Sequence, residues 1–312
     1  MRFMHRRRTF QLTAPITVGG RTLTERTVLE LQMGERYAEV SPLPGLHTES
    51  IDDVIRLLPE ARAMQKKVRG SFLEKLTALN NNLAWQGLPP SLRLALEGML
   101  HGSVEDFERP IVDLPLTARL VDQDPGGDLS HLAKAPAAKV KVGRRDRELE
   151  AALVREVRDA LPEGAEIRLD ANRAFSLDEA VALAGAVDLT PAFIEEPLAD
   201  PGEVPAFCER TGWPVALDES LHEPRHADLL TCDSVAAWVV KPALLGLLPT
   251  LQLFDRAPDG VTCVVSACFE GPVGLGLLME LAEVAPGHPA PGLGTVFWLA
   301  DDGRPTPWKK TS

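Results

Sequence analysis

Between residues 137 and 275 the chain repeats one pattern of apolar and polar positions. Short apolar runs, AAKVKVG, EIRLDAN, AFIEEP, PVALDES, AAWVVKP and VTCVVSACFEG, each end on a charged or hydroxyl residue. Longer stretches with helical period lie between them, such as RDRELEAALVREVRDAL and SLDEAVALAGAV. The run ends fall at Lys141, Asp170, Glu195, Asp218, Lys241 and Ser266, separated by 29, 25, 23, 23 and 25 residues. That stride fits one strand, one helix and two loops. A parallel strand with a covering helix needs a crossover of about a dozen residues, and about eight such units close a (β/α) barrel. The pattern therefore predicts a parallel barrel whose polar strand ends meet at one mouth.

Residues 1 to 108 lack this stride. VLELQM and YAEVSPLPG bracket Met33-Gly34-Glu35-Arg36, a hairpin signal, and SPLPG adds a stiff turn. From Ser50 helical patterns take over, with Ser50 as N-cap and Asp52 and Asp53 in the first turn. SLRLALEGMLHG repeats the period after Pro89 and Pro90, and LNNNLAWQGLPP before it reads as a surface loop. Strands followed by helices, without alternation, predict an α+β capping domain over 1–108 and a catalytic barrel over 109–295. PLTARLV (115 to 121) reads as the first barrel strand. Past the last helical run the order degrades: TVFWL is strand-like, and 296–312 is expected to return toward the capping domain. The predicted fold class is α/β, a modified TIM (β/α) barrel with an N-terminal α+β capping domain completed by the C-terminal tail.

The chemistry of the strand ends sharpens this picture. Three are carboxylates and two are lysines, and carboxylates that converge repel unless a cation sits among them. A hard divalent ion, Mg²⁺, is the economical choice. Each residue has a plainer reading taken alone: lysines on a solvent-facing edge, and Asp170, Glu195 and Asp218 as helix caps or loop acids. Lys139 and Lys141 share one strand face, however, and a barrel interior offers that face no solvent, so the pair needs anionic company. In FIEEP, parity puts Glu195 and Glu196 on opposite faces without saying which is inside. Lys241 ends a strand on the far side of the mouth from Lys141. After Ser266, EGPVGLG opens a helix whose free N–H groups could hold a substrate carboxylate. His222-Glu223-Pro224-Arg225-His226 matches the HExxH zinc pattern, but Pro224 is tolerated only in a helix's first turn. These are expected to be surface histidines at the start of a barrel helix.

Bulk properties exclude several classes of partner. At 312 residues the chain suits a barrel of about 250 residues with an added element. A net charge of −12 disfavours nucleic acid and anionic membranes, yet leaves room for a local positive site that binds a small-molecule carboxylate. The opening MRFMHRRRTFQL is basic but is followed by no apolar run of signal-peptide length, and no membrane-spanning run occurs. The chain reads as cytoplasmic. Its four cysteines form no CxxC pair and are expected to be free and mostly buried.

Together these residues resemble the enolase superfamily, and within it the o-succinylbenzoate synthase family of the proteobacterial type. The likeness runs from AEVSPLPG (38 to 45) through KVKVG, RLDANRAF, FIEEP, LDESL, VVKP and APGL (290 to 293), most of the chain. The resemblance implies that Asp170, Glu195 and Asp218 bind Mg²⁺, for which Mn²⁺ can substitute, the first Glu of EEP being the family's choice. It implies Lys141 as general base, Lys241 as its partner on the opposite face and Lys139 as a tuning group. Lys141 would have to be neutral near pH 7, which Lys139 and a divalent cation both favour. The implied substrate is a hydroxycyclohexadiene carrying a carboxylate and a succinyl group, which loses water to aromatise in menaquinone biosynthesis.

Arg168 and Asn172 flank Asp170 by two residues and share its face, so both are expected to contact substrate or ligands. Ser266 and the backbone at Gly292 match family positions near the substrate carboxylates, although Ala267 and Cys268 stand where the family often carries further serines. SPLPG is expected to be a loop that closes over the substrate, and proteins of this type are often monomeric. Racemisation of N-succinyl amino acids would use the same two lysines. Dipeptide epimerases usually carry a DxD motif on the last strand, which GLGTVFWL lacks. A barrel that merely binds a metabolite would be expected to have lost one of the five charged positions, and all five are present.

Overall fold

The computed structural model describes residues 3–101 and 117–300. The N-terminal part is a three-stranded antiparallel sheet of β1 (Phe3–Val18), β2 (Arg21–Met33) and β3 (Arg36–Val40). Met33 pairs with Arg36 across the expected hairpin. Four helices follow: α1 (Ile51–Gln65), α2 (Phe72–Asn80), α3 (Leu83–Gln86) and α4 (Pro90–His101). Ser50 starts α1 with a capping box, its hydroxyl accepting from the Asp53 N–H while the Asp53 carboxylate returns to the Ser50 N–H. Leu29, Leu31 and Val40 of the sheet bury against Val54 and Leu58 of α1 and Leu92 and Leu96 of α4.

LNNNLAWQG lies largely at the surface, as expected, but it is not a loop throughout. Asn82 caps α3 by accepting from the Ala84 N–H at 2.9 Å, and Trp85 is fully buried with Nε1 donating to Glu97 at 2.8 Å. The run of asparagines reads as loop in sequence, but one of them begins a short helix that carries the tryptophan inward.

Seven parallel strands form the second sheet in chain order: β4 (Arg119–Val121), β5 (Ala137–Lys141), β6 (Glu166–Asp170), β7 (Phe193–Glu195), β8 (Val215–Leu217), β9 (Val235–Val240) and β10 (Thr262–Val265). Residues 290–292 close the circle. The Gly292 N–H donates to Val265 O at 2.8 Å on one side, and Pro291 O accepts from the Ala118 N–H at 2.9 Å on the other. Helices α5 (Arg147–Ala160), α6 (Leu177–Ala186), α7 (Val204–Thr211), α8 (Leu247–Asp255) and α9 (Pro272–Glu283) follow β5, β6, β7, β9 and β10. Inside the barrel, Phe193, Ala216, Ala237, Val239 and Val264 form a separate apolar plug. The active-site mouth rests on this plug.

Two further expectations are corrected. No α-helix follows β8; 3-10 turns over Glu219–His222 and Pro224–Thr231 take its place, and of the two histidines only His222 is exposed, His226 being buried. TVFWL lies in a 3-10 helix, Gly294–Trp298, because the glycine-rich approach offers no extended run for pairing. The chain then returns to the cap as far as it is described, the Ala300 N–H donating to Gln11 O at 2.8 Å. The expected boundary at 108/109, the start of PLTARLV and residues 301–312 lie outside the described residues. Among the described residues no helix is long and apolar enough to cross a membrane. The four cysteines are free, with Cys263 and Cys268 buried and Cys208 and Cys232 half-buried.

Candidate active site

Strand register assembles the site. Lys141 on β5 pairs with Asp170 on β6, and Asp170 pairs with Glu195 on β7, so three charged side chains leave adjacent strands at one height. Two residues down, Lys139, Arg168 and Phe193 form the next row. Asp170, Glu195 and Asp218 are all buried. The Lys141 ammonium donates to Asp170 at 2.6 Å and to Asn172 Oδ1 at 2.7 Å. That of Lys139 reaches Asp170 at 2.9 Å and Glu195 at 3.3 Å, and Lys241 is ion-paired with Asp218. Parity is thereby resolved on geometry: Glu195 faces the lysines and Glu196 faces away.

The electrostatics follow from burial and proximity. Burial works against an ionised Asp170, but Lys139 and Lys141 outweigh it and hold the carboxyl well below the usual carboxylate range. Glu195 goes the other way, pushed up to about 8 by burial and by neighbouring Asp170 despite Lys139. Burial also opposes charge on Lys139 and Lys241. Asp170 and Glu195 nevertheless raise the first above its ordinary value, and Asp218 and Glu195 raise the second.

Three buried carboxylates on neighbouring strand ends are an all-oxygen donor set of the kind hard divalent ions prefer. Among the described residues no three acidic, histidine or cysteine side chains stand at the spacing of a formed metal cluster. Ammonium groups lie against the carboxylates instead. The donor chemistry fits a divalent ion, and the lysines must draw back for one to be held.

These residues line a cavity of about 810 Å³, ample for a small dicarboxylate. Its wall includes Arg168, Asn172, Ser266 and Gly292. Arg168 is buried and stacks on Phe193, with its donors committed to Glu166 and, at 2.6 Å, to Ala290 O in the closing segment. Asn172 sits at φ +45°, a left-handed conformation that asparagine tolerates, and accepts from Lys141. Ser266 is buried, and its N–H goes to Val240 O. The free helix N–H groups expected after Ser266 are not free. Glu39 of the cap accepts from the Gly271 and Gly274 N–H groups at the start of α9, at 2.7 and 3.2 Å.

Sequence reasoning missed three parts of the site. Pro15 to Gly19, the end of β1 and the residue after it, form part of the wall beside Leu43 and Gly45 of the SPLPG segment and the following Leu46. A Cβ on Gly19 would stand 2.2 Å from Gly45 O, so only glycine lets these two segments meet. Glu196 organises the turn after β8, accepting from the Asp218 N–H at 2.8 Å, the Ser220 N–H at 2.7 Å and Arg173 Nε at 2.9 Å. Its position beside Glu195 was the one available signal. The third part, a buried joint between cap and barrel, carried no signal in periodicity.

Comparison with known proteins agrees with this architecture. Residues 129–305 match the family described as Enolase C-terminal domain-like. The o-succinylbenzoate synthase of Vibrio cholerae is 32% identical over 305 residues, covering 93% of this chain and 87% of the relative. That of Escherichia coli is 32% identical over 278 residues, covering 85% and 81%. Among solved structures, the L-Ala-D/L-Glu epimerase from Bacillus subtilis has a TM-score of 0.74 at 19% identity, covering 97% of this chain and 91% of that one. The o-succinylbenzoate synthase from Thermosynechococcus elongatus, complexed with Mg in its active site, has a TM-score of 0.67 at 20% identity, covering 98% and 95%. At such identities the structural likeness speaks for the fold, while the family match spans more than half the chain and the curated relatives most of it. The o-succinylbenzoate synthases of Vibrio cholerae and Escherichia coli are thus relatives of this chain, and the chain belongs to the enolase superfamily.

Proposed function

We propose that this enzyme catalyses the Mg²⁺-dependent syn-dehydration of 2-succinyl-6-hydroxy-2,4-cyclohexadiene-1-carboxylate to 2-succinylbenzoate, a step of menaquinone biosynthesis. One observation carries the reading. Lys141 on β5 and Lys241 directly after β9 lie four strand positions apart in a circle of eight, on opposite sides of a cavity that also holds three buried carboxylates. That curated relatives are named o-succinylbenzoate synthase supports the same reading.

A proton alpha to a carboxylate is weakly acidic, so its removal needs the resulting negative charge to be met as it forms. Mg²⁺ held by Asp170, Glu195 and Asp218 would polarise the ring carboxylate and offset that charge, a role Mn²⁺ can also fill. Neutral Lys141 takes the proton from the ring carbon bearing the carboxylate. As an ammonium it returns that proton to the hydroxyl leaving the adjacent carbon on the same face. The C–H and C–O bonds break, a ring double bond forms, and water departs. Lys241 remains an ammonium on the other face and balances the charge on the oxygen atoms, while Lys139 adjusts the field around Lys141.

Asn172, Ser266 and Gly292 are assigned to substrate contact, Arg168 to the wall of the substrate site, where its donors hold Glu166 and the closing segment, and the SPLPG segment to cover the mouth. The reading includes a cap over 1–108, a barrel over 109–295, a returning tail over 296–312 and a cytoplasmic location. Racemisation of N-succinyl amino acids is the second reading, because two lysines facing each other across one carbon can remove and replace a proton from either side. Dipeptide epimerisation is disfavoured, since residues 290–300 contain no aspartate. Purified protein is incubated with Mg²⁺ and each substrate, and the two values of kcat/KM are compared. Aromatisation faster than racemisation is expected; absence of aromatisation overturns the proposal.

A further inference from the structure

The two walls that flank the catalytic cavity from above come from different parts of the fold. One is the cap segment after β3, contributing Leu43, Gly45 and Leu46, and the other is the barrel segment after β10, contributing Ala267, Cys268 and Phe269. A single buried guanidinium ties them together. Arg26, on β2 and 1% exposed, donates through Nη2 to Ser41 O at 2.5 Å and through Nη1 to Pro42 O at 2.8 Å. Its Nε donates to Phe269 O at 3.0 Å, on the other segment. Phe269 sits at φ +58°, a conformation a phenylalanine adopts only under constraint, so this carbonyl is held rather than merely met.

A second contact locks the same joint. The Glu39 carboxylate accepts from the Gly271 and Gly274 N–H groups and from the Ser41 hydroxyl, so the start of α9 and the start of the cap segment share one acceptor. The site is built around glycine: a Cβ at Gly271 would stand 2.7 Å from Glu39 Oε2 and 3.0 Å from the Phe10 ring. Neither Arg26 nor Glu39 lines the catalytic cavity, so neither touches substrate there.

We infer that Arg26, seconded by Glu39, is a positioning residue that sets the width of the substrate chamber by fixing the cap wall at 41–46 against the barrel wall at 267–271. The inference rests on the proposed reading of the cavity as the substrate site. A planar guanidinium serves two directions at once, whereas a lysine ammonium in its place reaches one wall or the other. Loss of the joint widens the chamber without altering the lysines or carboxylates. The cost therefore falls on substrate binding.

The test uses Arg26→Lys, Arg26→Ala and Gly271→Ala in the full chain, with folding checked by circular dichroism and kinetics on whichever of the two proposed substrates the wild type accepts. For Arg26→Lys and Gly271→Ala, KM is expected to rise about tenfold, as for loss of one charged hydrogen bond, with a smaller change in kcat. Millimolar guanidinium is expected to lower the KM of Arg26→Ala and to leave the wild type unchanged. A folded Arg26→Lys with wild-type KM, or a loss confined to kcat, overturns the inference. Gly271→Ala opens the joint from the barrel side, so the test survives if Arg26 variants do not fold. Should the wild type accept neither substrate, the proposed function fails and the joint is read by hydrogen exchange instead. Faster exchange at both 41–46 and 267–271 in Arg26→Lys supports it, and faster exchange at one segment alone overturns it.

Discussion

Asp170 on β6 and Glu195 on β7 are register partners, and the Lys139 ammonium reaches both, at 2.9 and 3.3 Å. In-register parallel strands thus bring to one point side chains that lie far apart in sequence. Three carboxylates and three lysines gather there, and their formal charges cancel. This balance is what a divalent ion and an anionic substrate would have to displace.

Lys141→Ala is expected to lower turnover by about 10²–10⁴-fold, the range for loss of a general base. The fold should survive, because Lys139 still neutralises Asp170 in the variant. Steady-state kinetics with circular dichroism checks both parts. A variant that keeps wild-type kcat removes Lys141 from its assigned role.

Chelation provides an independent test. Treatment with EDTA is expected to abolish activity, and Mg²⁺ or Mn²⁺ to restore it. Added Mg²⁺ should also raise Tm, because an ion that binds only the folded state stabilises it by mass action. Asp170→Asn should blunt that rise. Activity indifferent to EDTA, or a Tm unmoved by Mg²⁺, contradicts the metal assignment.

The strand ends were legible in sequence because period and stride both survive in a parallel barrel. Lys141, Asp170, Glu195, Asp218, Lys241 and Ser266 all line the cavity as that stride implied. What stayed hidden was whatever depends on partners distant in sequence. Residues 290–292 pair as the eighth strand position through a handful of backbone bonds, and a proline-rich run gives no strand signal. Arg26 and Glu39 sit in strands where a charged residue reads as solvent-facing, yet both are buried because each finds backbone partners on the other domain. The free amides expected at the start of α9 were lost to the same cause.

Glu196 should matter for metal binding without touching the metal. It is 3% exposed and holds the Asp218 and Ser220 N–H groups and Arg173. Glu196→Ala breaks an ion pair that is half-buried on the Arg173 side and strands the two backbone donors, a loss of about 1–3 kcal/mol of stability. Because Asp218 is one of the backbone groups released, Mg²⁺ affinity by calorimetry should fall as well. Glu196→Gln keeps an acceptor and should lose less on both counts. Unchanged Mg²⁺ affinity in a folded Glu196→Ala would separate this turn from the metal site.

Glu270 ties stability to pH. Burial pushes its carboxyl up to about 7, although Arg26 and the Cys268 N–H favour the ionised form, and neighbouring Glu39, itself raised by burial, opposes it. Glu270 Oε1 is buried without a hydrogen-bond partner in the described structure, which also favours the protonated group. A carboxyl raised in the folded state binds its proton more tightly there than in the unfolded chain. Its stabilising contribution is therefore complete below about pH 4.5 and is lost as pH rises to about 7, a change of about 3 kcal/mol. Glu270→Gln keeps the shape and cannot ionise, so it should remove that part of the slope. Urea melts of both proteins at pH 5 and pH 8 give the comparison. The variant should gain on the wild type as pH rises, and parallel pH dependence of the two would place the titration elsewhere.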